Sequence, residues 1–423
     1  MIRLLVAGMS GQLGHGLASV LADAADAADA ADAADAADAA DAADAADAAD
    51  AADATGLVRL TRVVARAHPA GRGPAGGAPV GGAPVGGAPV GGSPDSGGRM
   101  VPGDVRQPGW GLDAGALADL SDVGVVVNLA AETNWAAAQQ ALFTANTVGA
   151  VEGLNLARRL QEAHGRRVAY IYASTVYVAG GRLGVVPETP LGPCRHRTVY
   201  EESKWLGEQA LVEQWRPGDP PVLIARFAAL VGDSVTGTTR RRNSLYLLAA
   251  RWEELPLRML PAMRDARVDA LPRDVAARAL LAAARRIVAD GTGAYDDGPA
   301  VVHIAGGQSA PTLRALLELA RSQGPHRFRH MLRLVPTSAE RILWLSQNPG
   351  RFYRPDEAWT NSLTGLRYVA LDRVYETTRL RSLLPATDVP QVEPALLARI
   401  LFGLPASPVA AELPGDPAMA RFE

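Results

Sequence analysis

Lysine is almost missing from this chain. Of 42 cationic side chains in 423 residues, Lys204 alone is lysine and every other is arginine. Cysteine is as scarce: Cys194 stands by itself, so no disulfide forms within the chain. The seven histidines are scattered without metal-ligand spacing, which predicts no metal site. No run of 18 apolar residues suggests a membrane span. The apolar start of "MIRLLVAGMSGQLGHGL" is too short for a secretory signal and runs straight into glycines. Nothing resembles a basic nucleic-acid tract, since Arg240–Arg242 is three residues long and reads as solvated surface. The expectation from these absences is a soluble, cytoplasmic protein that does not bind nucleic acid.

Two segments are present in excess. Residues 23–54 repeat Asp-Ala-Ala, and residues 71–98 are rich in Gly and Pro with three copies of Gly-Gly-Ala-Pro-Val. Asp at every third position does not match the 3.6-residue helical period, so no apolar stripe can dock, and the tract reads as a solvated appendage. The second segment reads as a flexible spacer. Eleven aspartates of the first tract account for the formal net charge of −3; the remainder is mildly basic, which suits a phosphate-bearing ligand.

The rest alternates strand and helix. "IRLLVA" (2–7) is a short apolar run that ends in glycine, the pattern of a buried parallel strand. Gly8, Gly11 and Gly14 follow at a spacing of three. Gly8 turns the chain tightly, Gly11 admits close approach of a ligand, and Gly14 lets the helix pack. The helix N-terminus then offers unpaired N–H groups to a pyrophosphate. Further strands are expected at 60–67, 99–105, 123–131, 167–175, 221–232 and 301–307, with helices over 136–164 and from Tyr200 to Trp215. This alternation predicts an α/β fold with a doubly wound parallel sheet. Beyond 308 the chain reads as helical, without alternation.

The lone lysine lies in "TVYEESKWLGE" (198–208), four residues after Tyr200, so both face one side of a helix. An ordinary phenol, with a pKa near 10, exchanges protons poorly at neutral pH. A neighbouring ammonium is expected to bring that value down, and arginine is a poor replacement. A hydroxyl cooperating with the phenol is expected at Ser174 or Thr175, at the carboxyl end of the fifth strand.

The strand–Gly8-x-x-Gly11-x-x-Gly14 turn, "NLAA" (128–131), "YAST" (172–175) and "YEESK" (200–204) resemble an extended short-chain dehydrogenase/reductase. "VVARA" (63–67), "GDVRQPGWGL" (103–112), "AAETNW" (130–135), "SKWLGE" (203–208), "VGDSVTG" (231–237) and "RVDALPRDVAARALL" (267–281) resemble the thioester reductase and fatty acyl reductase branch. The resemblance implies a Rossmann NADP-binding domain over 1–235, interrupted by the insertions at 23–54 and 71–98. A smaller, mostly helical substrate-binding part follows over 236–423, with 267–307 returning to the sheet. It implies Thr175, rather than Ser174, with Tyr200 and Lys204 as the catalytic set. Gly8, Gly11, Gln12, Leu13 and Gly14 hold the pyrophosphate. Arg66 meets the 2′-phosphate of NADP(H), and Asp104 and Val105 border the adenine. Ala130 and Ala131 lie along the cofactor, Lys204 reaches its ribose, and Asn146 is a possible helper. The implied reaction is NADPH-dependent reduction of an acyl thioester carried by coenzyme A or by an acyl carrier protein in trans, giving aldehyde or alcohol. A sugar-nucleotide epimerase or dehydratase, or a ketone reductase, is the alternative on the same fold.

Overall fold

The structure is a computed structural model that describes residues 2–24, 58–65, 99–134, 137–239, 242–250, 259–289, 297–323, 333–348, 368–387 and 389–403. Strand β1 (Ile2–Ala7) leads through a glycine turn into helix α1 over residues 12–24. Next come β2 (Val58–Ala65), β3 (Arg99–Gly103), α2 (Ala114–Ala118) and β4 (Val123–Asn128). Helix α3 (Gln139–Phe143) runs through a π-turn at Thr144–Val148 into α4 (Gly149–His164). Strand β5 (Ala169–Thr175), β6 (Gly184–Val186) and α5 (Val199–Gln214) follow. Then come β7 (Val222–Phe227), β8 (Ala229–Val231), α6 (Ser244–Ala250), β9 (Met259–Ala262), β10 (Ala270–Pro272), α7 (Arg273–Ala289) and β11 (Ala300–Ile304). The later elements used below are α8 (Leu313–Gln323), β12 (Arg333–Pro336) and β13 (Arg373–Tyr375).

Seven strands form one parallel sheet in the order β11-β7-β5-β4-β1-β2-β3. Alternate residues of β1 feed two cores. Leu4 and Val6 pack with Leu13 and Leu17 of α1 and the alanine- and leucine-rich face of α7. Leu5 and Ala7 pack on the other face with Leu154 and Leu160 of α4 and Leu211 of α5. Both faces are therefore covered, which is why the central strands read as unbroken apolar runs. From β1 the chain builds outward through β2 and β3, and from β4 it builds the opposite way. The crevice outside the carboxyl ends of β1 and β4 is thus the switch point where ligands bind in doubly wound sheets.

Helix α5 carries the Tyr-x-x-x-Lys pair, and its start is fixed locally. The Thr198 side chain caps it by accepting from the Glu201 backbone N–H, and Glu201 and Glu202 place negative charge in the first turn, where the helix dipole favours it.

Several elements differ from the sequence expectation. The run at 221–232 is two strands: after Phe227 the Ala228 N–H bonds to Ile304 O, and β8 leaves the large sheet to pair with β10. The strand begun at 123 stops at Asn128, not 131, because Asn128 Oδ1 accepts the Ala130 N–H and turns the chain. The region beyond 308 is not purely helical, since β12 pairs with β9 and β13 with β6. Short, isolated pairings of this kind carry no periodic signature in the sequence. Most of the Asp-Ala-Ala tract, the Gly-Pro segment, Trp135 and Arg66 lie outside the described residues.

Candidate functional site

The glycine turn sits at the switch point. Gly8 has φ +89°, a conformation that side chains rarely adopt, and a Cβ there would lie 2.4 Å from the Ala130 backbone nitrogen. This contact brings the carboxyl end of β1 against the Ala130–Ala131 turn after β4. A Cβ on Gly11 would meet only Gly8 O, at 3.3 Å, so the turn is open on that side. Gly14 is closed in by the Met9 backbone at 2.4 Å, so it tightens its own turn. Close packing of α1 against its neighbour falls instead to Gly16, whose Cβ would lie 2.4 Å from Arg273 O of α7. An open glycine turn entering a helix at Gln12 and Leu13 fits a pyrophosphate. Gln12 Nε2 donates to Thr239 Oγ1 at 2.5 Å, which draws the loop after β8 across this helix start.

Asp104 and Val105 follow β3 on the other side of the switch point. The Asp104 N–H donates to Trp110 O (2.9 Å), and its carboxylate accepts from Arg106 N, Nε and Nη2. Val105 lies against the start of α4 at Gly149.

Thr175, Tyr200 and Lys204 come together at the carboxyl edge of β5. Thr175 ends the strand; its Oγ accepts the Tyr177 N–H at 3.3 Å and shares a hydrogen bond with the Tyr200 phenol. Lys204 is 2 % exposed, and its Nζ donates to Ala173 O at 2.7 Å and lies 4.5 Å from the Tyr172 ring centroid. Ser174, the other hydroxyl at this edge, points elsewhere and donates to Glu208 Oε1 at 2.5 Å. Pleating accounts for the split, since successive side chains leave a strand on opposite faces.

The electrostatics correct one expectation. The phenol of Tyr200 is not brought down by Lys204. Burial, with Glu201 adding to it, pushes it up to about 12, and the Thr175 hydrogen bond works the other way. Lys204 is itself pulled down to about 7 by burial, with Glu208 opposing. A lysine that loses its hydration loses much of its charge, and what remains is directed at the Ala173 carbonyl.

Asn146 sits in the π-turn, fully buried. Its amide accepts the Glu132 N–H and donates to Glu132 O and Ser203 Oγ, all at 2.9–3.0 Å. It ties the loop after Ala131 to α5, with every group committed. The sequence reading missed Asn128, whose Nδ2 donates to Gly149 O while its Oδ1 shapes the Ala130 turn. It also missed a buried network behind the site. Arg226 and Glu208 pair at 2.7 Å with 0 % and 1 % side-chain exposure, and Arg226 Nη1 lies 3.3 Å from His303 Nε2. Burial and Arg226 hold His303 down at about 3, so it stays neutral and donates from Nδ1 to Glu376 O at 2.7 Å. An Arg in a central strand and a His in another were the available signals, because charge in a buried strand implies a partner.

Among the described residues no helix is long and apolar enough to cross a membrane. Residues 97–280 match the family model described as Male sterility protein, an NAD-binding domain. Glycine betaine reductase ATRR of Emericella nidulans is 28% identical over 198 residues, which are 46% of this chain and 15% of that protein. The chain thus spans a small fraction of the length of such curated relatives. Among solved structures, the terminal R domain from the myxalamid PKS-NRPS biosynthetic pathway superposes with a TM-score of 0.60 at 18% identity, covering 95% of this chain and 90% of that one. A putative epimerase from Burkholderia cenocepacia J2315 gives 0.53 at 16% identity, covering 95% and 97%. The fold shared with these structures is a Rossmann-like central parallel sheet with flanking helices. The family match spans the segment from β3 into α7, under half of the chain.

Proposed function

We propose that this protein is an NADPH-dependent reductase of acyl thioesters, with the acyl group presented by coenzyme A or by a carrier protein acting in trans. The observation that carries the reading is the meeting of Thr175 and Tyr200 above Lys204, at the edge of the sheet where the open Gly8–Gly11 turn and Ala130 also lie.

When bound, NADPH supplies the hydride. The first turn of α1, from Gly11 through Leu13, holds its pyrophosphate, Ala130 and Ala131 run beside it, and Asp104 and Val105 border the adenine. Arg66, outside the described residues, meets the 2′-phosphate. Residues 236–266 and 308–423 supply the substrate side.

Reduction adds negative charge to the carbonyl oxygen, and a protonated phenol is the form needed to meet it. A Tyr200 hydroxyl held near 12 stays protonated at neutral pH and donates its hydrogen bond together with Thr175. The proton passes from the phenol to that oxygen. Lys204 is placed one turn along α5 to restore it and to bind a ribose hydroxyl. The hemithioacetal then loses its thiol and leaves an aldehyde; a second round gives the alcohol.

The test is incubation with NADPH and acyl thioesters of graded chain length, with product mass and free thiol measured together. One thiol per NADPH oxidised is expected for the aldehyde, and one per two for the alcohol. NADPH oxidation without thiol release from any donor rejects the reading. Protein that purifies with tightly held NAD and returns its hydride favours the epimerase alternative.

A further inference from the structure

A chain of contacts runs from Thr175, beside the Tyr200 phenol, round to Glu201, the residue next to Tyr200. Thr175, which bonds the phenol, accepts the N–H of Tyr177. The Tyr177 ring centroid lies 4.2 Å from that of Tyr368, and the Arg197 guanidinium lies 4.6 Å from the Tyr368 ring centroid. Arg197 donates to Glu201 Oε2 from its backbone N at 2.9 Å and from Nε at 3.2 Å, and Nη2 reaches Oε1 at 2.9 Å. Glu201 is the helical neighbour of Tyr200 and ends this run of contacts.

The Arg197 and Glu201 side chains are 3 % and 0 % exposed. A buried ion pair loses as much hydration as it regains in attraction, so it is a poor source of stability. Its placement asks for another account. Glu201 is the next residue to Tyr200 along α5, so its buried carboxylate lies one position from the phenol's own backbone; burial raises the proton affinity of Tyr200 most, and Glu201 adds to it. Arg197 sits against that carboxylate, and Tyr368 covers the guanidinium face from 171 positions down the chain (368 − 197). Thr175 and Tyr172 of β5 also act on the phenol, and Lys204 lies one turn further along α5, with Glu208 one turn beyond it.

We propose that Arg197 and Glu201, roofed by Tyr368, form a positioning unit that controls proton delivery by Tyr200. The pair keeps the phenol protonated while Arg197 limits the field of the carboxylate, and Tyr368 makes that balance depend on the seating of the C-terminal region. This rests on the reductase reading for its purpose but not for its measurement.

The test uses fluorotyrosine throughout the full chain, which lowers the titration of each phenol into an accessible range. Each ring gives a 19F line, and that of Tyr200 is identified by its loss in Tyr200→Phe. Glu201→Gln keeps the shape and removes the charge, so the Tyr200 midpoint should fall by about one unit. Arg197→Met leaves the carboxylate uncompensated, so the midpoint should rise. Arg197→Lys should stay near the parent; where Arg197→Met does not fold, Glu201→Gln and Arg197→Lys decide. A midpoint that is unmoved, or raised, in Glu201→Gln overturns the proposal, even if activity drops, since lost activity alone marks a merely structural pair. Midpoints that move as stated in a protein that releases no thiol uphold this unit and reject the reductase reading instead.

Discussion

Ser174 and Thr175 are neighbours with the same chemical group, yet they end in different worlds. The Ser174 hydroxyl joins Glu208, Arg226 and His303 in a network sealed between the sheet and α5. The Thr175 hydroxyl reaches over the carboxyl edge to Tyr200. On the first side each charge faces its counter-charge and each acceptor a donor. On the second, a cation has been brought down to about 7 and a phenol pushed up to about 12. Pairs of groups whose environments move their proton affinities this far mark places suited to proton transfer. The network behind them is scaffold.

Tyr200→Phe puts the greatest weight on this contrast. It should lower thioester reduction by about 10²–10⁴-fold, the range for a lost general acid, with NADPH binding by fluorescence unchanged. Thr175→Val should follow at about 10²–10³-fold, the cost of one donor to a developing oxyanion. Ser174→Ala should leave turnover within a few-fold while lowering stability by about 1–3 kcal/mol in urea melts, because Glu208 loses a donor in a buried place. A turnover defect in Ser174→Ala larger than in Thr175→Val would invert the assignment of the two hydroxyls.

Arg226→Met probes the scaffold side. It strands Glu208 without its cation, and the expected loss is about 3–5 kcal/mol of unfolding free energy. The smallest effect is a titration. Reductive 13C-methylation labels Lys204 as the sole side-chain amine, and its resonance should titrate near pH 7 in the ligand-free protein. The sign for stability follows. Between about 7 and the ordinary lysine value near 10.4, the unfolded chain holds the proton that the folded chain has released. This residue's contribution to stability therefore rises with pH through that window and is least favourable below it. A midpoint near the ordinary value would mean that Lys204 is hydrated, and would erase the contrast with Arg226.

Much of the architecture was legible from local patterns. Gly8 was readable because a strand ending in a tight turn needs φ > 0, and that need is met within a few residues. The Tyr200–Lys204 face was readable because helical spacing is local. The break between β7 and β8 was not, because it depends on a hydrogen bond from Ala228 to Ile304. Nor was the π-turn that buries Asn146, since its register is set by Glu132 and Ser203 on two other elements.

The chain's own order of residues determined the alternating sheet, the glycine turn at its first strand, and a tyrosine and the single lysine on one helical face. Those follow from periodicity and from spacing along one element. The fold alone decided which of two adjacent hydroxyls meets the phenol, that the lysine is dehydrated and loses hold of its charge, and that Tyr368 closes over Arg197. These are matters of dielectric and distance between segments far apart in the chain, and such quantities exist only once the segments have packed.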